Sequence, residues 1–130
     1  MDDHTRNWFD GHLERVLPRL PQRVHELLEE VPLYVDDYPS PDIMTRVGVR
    51  HRSQLCGLYT GIPLTQRNVE FSGFPSDVIH LFREGVLAIS RDSTGSIDSG
   101  ELERQIRITI LHELGHHHGM TEEELNELGY

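Results

Sequence analysis

Residues 110–125, ILHELGHHHGMTEEEL, hold four of the chain's nine histidines together with four glutamates. His112 and His116 stand four residues apart. On a helix that spacing puts both imidazoles on one face, one turn from each other, where they can share an ion. Neutral imidazoles suit Zn²⁺, and a catalytic zinc site joins three protein ligands to an open position for water. Glu113 is rotated by one residue from His112, so it cannot point along the same vector but can reach a water beside that ion. Metal-assisted hydrolysis is the chemistry such a set could do. The competing reading is the polar face of a C-terminal helix, because H-E-x-x-H also arises by chance in chains rich in His and Glu.

A third ligand must come from beyond the pair. Gly119 can end the helix by adopting positive φ and turning the chain back. Thr121 and Glu124 then have the spacing of a capping box, which places Glu122 in the first turn of a closing helix, where the helix dipole favours any carboxylate. Spacing alone leaves Glu122, Glu123, Glu124 and His118 as candidates. His117 and His118 lie off the axis of the 112/116 pair and are expected to be exposed or to support the site rather than ligate. His4, His12, His25, His51 and His80 are scattered and carry no ligand pattern.

The helix that must present these residues carries Leu102, Ile106, Ile110 and Leu114 at four-residue intervals, with Leu111 beside them and Ser99 or Asp98 as cap. Ahead of it, SRDSTGSIDSG reads as a surface loop. Residues 6–17 form a helix with Phe9, Leu13, Val16, Leu17 and Leu20 on one side, interrupted by Pro18 and Pro21. PQRVHELLEEV begins a second helix that buries Val24, Leu27, Leu28 and Val31. PLYVDDYPSPD reads as a strand of about five residues and then a turn-rich loop. A further short strand lies near Leu58 and Tyr59, and another spans 77–82, continuing either as a short helix, which is favoured, or as a hairpin. No internal repeat is present.

Composition narrows the function classes. With 22 acidic against 12 basic residues the formal charge is −10, which repels phosphate backbones and disfavours nucleic-acid binding. No apolar run approaches the ~20 residues that span a bilayer. The lone Cys56 forms no internal disulfide, and its apolar setting, QLCGLYTG, favours burial over reactivity. The acidic N-terminus lacks the features of a secretory signal, so the expected location is cytoplasmic. At 130 residues, a single domain over 1–130 is expected.

His112-Glu113-Leu114-Gly115-His116 resembles the zincin signature H-E-x-x-H, and the following HHGMTE resembles its x-x-G-x-x extension, with Glu122 at the third-ligand position. More closely, the chain resembles the minimal zincin-like metallopeptidases, small bacterial proteins in which a carboxylate, usually Asp, fills that position. LCGLYTGIPLTQR is similar to the family's central Gly-Leu-Tyr-x-Gly segment and VIHLF to its next strand, so the resemblance spans roughly residues 8–129. It implies an α/β, minimal zincin-like fold: N-terminal helices, a small mixed β-sheet, the HExxH helix and a short C-terminal helix. It further implies Zn²⁺ held by His112, His116 and Glu122, Glu113 as general base, and a peptide or protein substrate. Glu122 is one methylene longer than the usual Asp. No residue is singled out as oxyanion donor; Tyr59, Tyr130 and His117 are candidates, with core packing expected for Tyr59 and a frayed terminus for Tyr130. Two other functions fit the same residues: a zinc-binding module that hydrolyses nothing, against which the carboxylate beside the first ligand counts, and hydrolysis of a non-peptide amide or ester.

Overall fold

A computed structural model describes residues 1–61 and 77–130; positions 62–67 of the central segment quoted above lie outside the described residues. Helix α1 (Asp3–Val16) starts where the Asp2 side chain accepts the Thr5 N–H, and buries Phe9, Leu13 and Val16. Pro18 tightens the chain into one 3₁₀ turn, Leu17–Arg19, before α2 (Gln22–Glu30) buries Val24 and Leu27. Strand β1 (Leu33–Asp36) alternates, with Leu33 and Val35 against the core while Tyr34 and Asp36 face outwards.

The region expected to be only a loop after β1 contains a further helix, α3 (Pro41–Val47). Ser40 caps it by accepting the Ile43 N–H, Pro41 occupies its first turn and Gly48 ends it at φ 79°. Each of those residues also signals a turn, and a helix this short shows no apolar stripe to tell the two apart. A 3₁₀ turn, Arg52–Gln54, leads into β2 (Gly57–Thr60). Strand β3 (Val78–Phe82) runs without a loop into α4 (Arg83–Ser90), as the residue pattern predicts. Helices α5 (Ser99–His117) and α6 (Glu122–Glu127) complete the described chain.

The three strands make a mixed sheet in the order β1-β3-β2, with β1 parallel and β2 antiparallel to β3. Helix α5 packs on β2 and β3, with α1 and α4 beside it. Leu102, Ile106 and Ile110 of α5 are fully buried against Phe9, Leu13 and Val86 in the same core as Ile79 and Leu81. Among the described residues no helix is long and apolar enough to cross a membrane.

Two polar ties hold α1 to this core. His12, buried, lies with Nδ1 2.7 Å from Glu103 Oε2 on α5. Asp37, just beyond β1, accepts from Arg6 at 2.7 and 3.1 Å and from Arg83 at 2.9 Å, while Arg83 also holds Asp10 at 2.9 and 3.0 Å. The hydrogen-bonded Arg6 guanidinium draws the Asp37 carboxyl below its ordinary value of 3.8, against the partial burial that pushes it up, and Arg83 adds to the effect. A carboxyl lowered by folding stabilises the protein above its unfolded pKa, and that contribution disappears as pH falls through the folded pKa. Asp37→Asn should therefore melt below the parent at neutral pH, with the gap closing below about pH 4. Thermal melts of both proteins across that range measure it; a gap independent of pH would assign the loss to packing instead.

Candidate functional site

Asp98 caps α5 by accepting the Glu101 N–H, and the helix continues unbroken to His117. His112 and His116 consequently stand one turn apart, their ring centroids 4.8 Å from each other and their Nε2 atoms 3.2 Å apart. Gly119, at φ 80°, then folds the chain back, and the Met120 N–H bonds to the Gly115 carbonyl at 3.0 Å. The same return places the Met120 carbonyl 3.0 Å from His116 Nδ1. A carbonyl only accepts, so Nδ1 is the donor, and the neutral ring presents its lone pair at Nε2.

Beyond the turn, Thr121 and Glu124 form the capping box that starts α6. This helix seats on α5 at Gly115, where any Cβ would collide with the fully buried Leu125. The seating carries Glu122 to the histidines: its Oε1 is 2.8 Å from His116 Nε2 and 3.2 Å from His112 Nε2. Burial pushes the Glu122 carboxyl up, but the two imidazoles more than offset it, and it lies below the ordinary carboxylate range. Of the competing residues, Glu124 is engaged with Thr121, and neither Glu123 nor His118 joins the donor group among the described residues.

His112, His116 and Glu122 thus offer three ligand atoms all within 4.8 Å of one another. Bonds of about 2.0–2.1 Å in a tetrahedron require ligand atoms roughly 3.3 Å apart, close to the 2.8–3.2 Å spacings here. At 2.8 Å the His116 Nε2 and a Glu122 carboxylate oxygen face each other, and either a proton or a metal cation between them would satisfy both. Two nitrogens and one oxygen of this hardness fit Zn²⁺.

Glu113 is buried beside this group. Its Oε1 accepts the Tyr59 N–H at 2.9 Å, and its Oε2 lies 3.9 Å from His112 Nε2. Burial pushes its carboxyl up, opposed by the two imidazoles and the Tyr59 N–H. The strand can approach this closely because residue 57 is glycine: a Cβ there would lie 2.7 Å from Thr109 Cγ2 and 2.9 Å from the His80 carbonyl oxygen. Glu113, the donor group and the edge of β2 line a cleft of about 750 Å³. Cys56 also lines it, and burial pushes its thiol up to about 11, so it presents no thiolate at neutral pH.

Around the cluster the structure departs from one expectation and sharpens two. Of the two settings expected for His117, exposed or supporting the site, exposure does not hold: it is 3 % accessible and contacts Asp77. Tyr59 is partly buried against the core as expected, but its hydroxyl also donates to Asp77 at 2.8 Å. Tyr130 is tied down through its N–H to the Leu125 carbonyl at 2.9 Å, with its ring 5.9 Å from the Arg107 guanidinium, and it lines the cleft. Asp77 and the backbone N–H of Tyr59 escape sequence reasoning, because no local spacing links them to residues 112–122. The glycine pair bracketing β2 is the one signal that backbones approach closely there.

No curated protein matches the chain. A family model described as zincin-like metallopeptidase matches residues 28–130. Its start lies downstream of residue 8, where the resemblance in the sequence begins. The match runs from the last turn of α2, through the sheet and the helix that carries both histidines, to the last residue, and the chain belongs to the zincin-like metallopeptidase family.

Proposed function

We propose that the protein is a zinc-dependent peptidase in which His112, His116 and Glu122 hold the metal and Glu113 is the general base. The observation that carries this is the pairing of three convergent donors with a fourth, buried carboxylate that faces them without joining them. Zinc bound there supplies Lewis acidity, acidifying water and polarising a scissile carbonyl. The Tyr59 N–H holds one oxygen of Glu113, which leaves Oε2 to take a proton from the attacking water and return it to the leaving amine. The His116 Nδ1 bond to the Met120 carbonyl keeps Nε2 turned to the metal. A carboxylate beside the donors that is not itself a ligand is what water activation requires and a purely structural zinc site does not. The substrate is a peptide or protein, and the cytoplasmic setting expected from the sequence belongs to the same proposal.

Protein purified without chelator should carry a single zinc per chain, measured by elemental analysis. The double change His112→Ala, His116→Ala should abolish it; full occupancy in that variant would locate the ion elsewhere. Among single carboxylate changes, Glu122→Ala should weaken zinc binding while Glu123→Ala and Glu124→Ala leave it close to the parent's. The opposite ranking in metal titrations would remove Glu122 from the ligand set.

Glu113→Gln should keep both zinc and fold but lose about 10²–10⁴-fold in turnover, because an amide of the same size takes no proton at neutral pH. A peptide library, assayed with zinc content measured on the same samples, gives the comparison. Equal cleavage by parent and variant would make Glu113 a bystander. Zinc-loaded parent that cleaves nothing would favour a zinc-binding module without hydrolytic activity.

A further inference from the structure

Asp77 and His117 are buried titratable residues with no part in the chemistry above, at 4 % and 3 % accessibility. Asp77 precedes β3, and its Oδ2 accepts the Tyr59 hydroxyl at 2.8 Å. His117 Nδ1 lies 2.7 Å from the same oxygen, near enough for an ion-pair contact although not aligned as a directed hydrogen bond. The Tyr59 ring meets the His117 ring edge-on, with centroids 5.6 Å apart. Gly61, at φ 140°, keeps this corner open, since any Cβ there would collide with the Asp77 carboxylate.

Each partner of Asp77 adjoins the candidate site through its own backbone. Tyr59 supplies the N–H that holds Glu113, and His117 follows His116 in the last turn of α5. The Gly119 return and the seat of Leu125 on Gly115 tie that turn to α6, whereas the contact with Asp77 ties it to the sheet, and helix ends fray unless such tertiary contacts restrain them. Burying a carboxylate is costly and contributes little net stability even when it is paired, so its use here is better explained by geometry than by stability.

We propose that Asp77 is a positioning residue: by joining Tyr59 to His117 it fixes the end of α5 against β2 and so sets where the Tyr59 N–H holds the Glu113 carboxylate beside the two metal-binding imidazoles. The proposal rests on the hydrolytic role given to that site. Asp77→Asn keeps the size but alters charge and donor pattern, whereas Tyr59→Phe removes only the hydroxyl and leaves the N–H to Glu113 intact. With full-length protein, zinc affinity is read by competition with a chelator well below each variant's melting temperature. Kinetic constants are read on any peptide the parent cleaves.

Asp77→Asn should weaken zinc binding about 3–10-fold and lower kcat with KM unchanged, less than the roughly 10–100-fold for a partner bonded directly to a metal ligand, because Asp77 acts one residue further back. Tyr59→Phe should move the same quantities in the same direction by less, and the double variant should be no worse than Asp77→Asn alone, because both changes open one clamp. A lower melting temperature with zinc affinity and kcat within about twofold of the parent's would reduce the trio to packing and overturn the proposal. Should Asp77→Asn fail to fold, Tyr59→Phe decides alone by the same criterion. A parent that binds zinc but cleaves nothing would sink the peptidase assignment, and the zinc affinities would still judge the clamp.

Discussion

The geometry of the site depends on how closely strand β2 lies against helix α5. A buried carboxylate must be hydrogen-bonded, and among the described residues the Tyr59 N–H is the donor that reaches Glu113. That reach exists only because Gly57 has no side chain to hold the strand away from Thr109 and the His80 carbonyl. Since Glu113, His112 and His116 share one helix, anchoring the first also limits where the other two can move. The apolar side of α5, from Leu102 to Leu114, supplies the opposing wall, so the helix is gripped between the core and the sheet edge.

Glu113 and Glu122 illustrate how environment separates two identical side chains. Burial raises the carboxyl of Glu113, which faces the donor group from the strand side. Glu122 stands in the open, and the imidazoles lower its carboxyl despite partial desolvation. A carboxyl raised by burial suits proton transfer, in agreement with the role proposed for Glu113. Glu122 reaches both imidazoles while the capping box of α6 stays intact.

Charge elsewhere is used to brace the scaffold. All twelve basic residues are arginines, and the Asp10–Arg83–Asp37–Arg6 chain ties α1, the end of β1 and the start of α4 together through forked contacts that a lysine ammonium does not reproduce. Among the described residues the acids lie largely on the surface.

Helical periodicity made α1, α2 and α5 legible from residue order, and the spacing of His112, Glu113 and His116 defined one helical face without any fold knowledge. Gly119, Thr121 and Glu124 likewise act through hydrogen bonds a few residues apart, so the stop of α5 and the start of α6 could be read directly. Helix α3 was hidden because Ser40, Pro41 and Gly48 are at once helix boundaries and turn residues. For a third candidate ligand, residue spacing left four possibilities, and only the docking of α6 on Gly115 brought Glu122 to the imidazoles while Glu124 turned to its cap. The environment of His117 was beyond reach for the same reason: spacing states which side of a helix a residue occupies but not what packs there. Tyr59, Asp77 and His117 meet because β2, β3 and α5 are neighbours in the fold, and contacts between elements distant in sequence leave no periodic signature in any one of them.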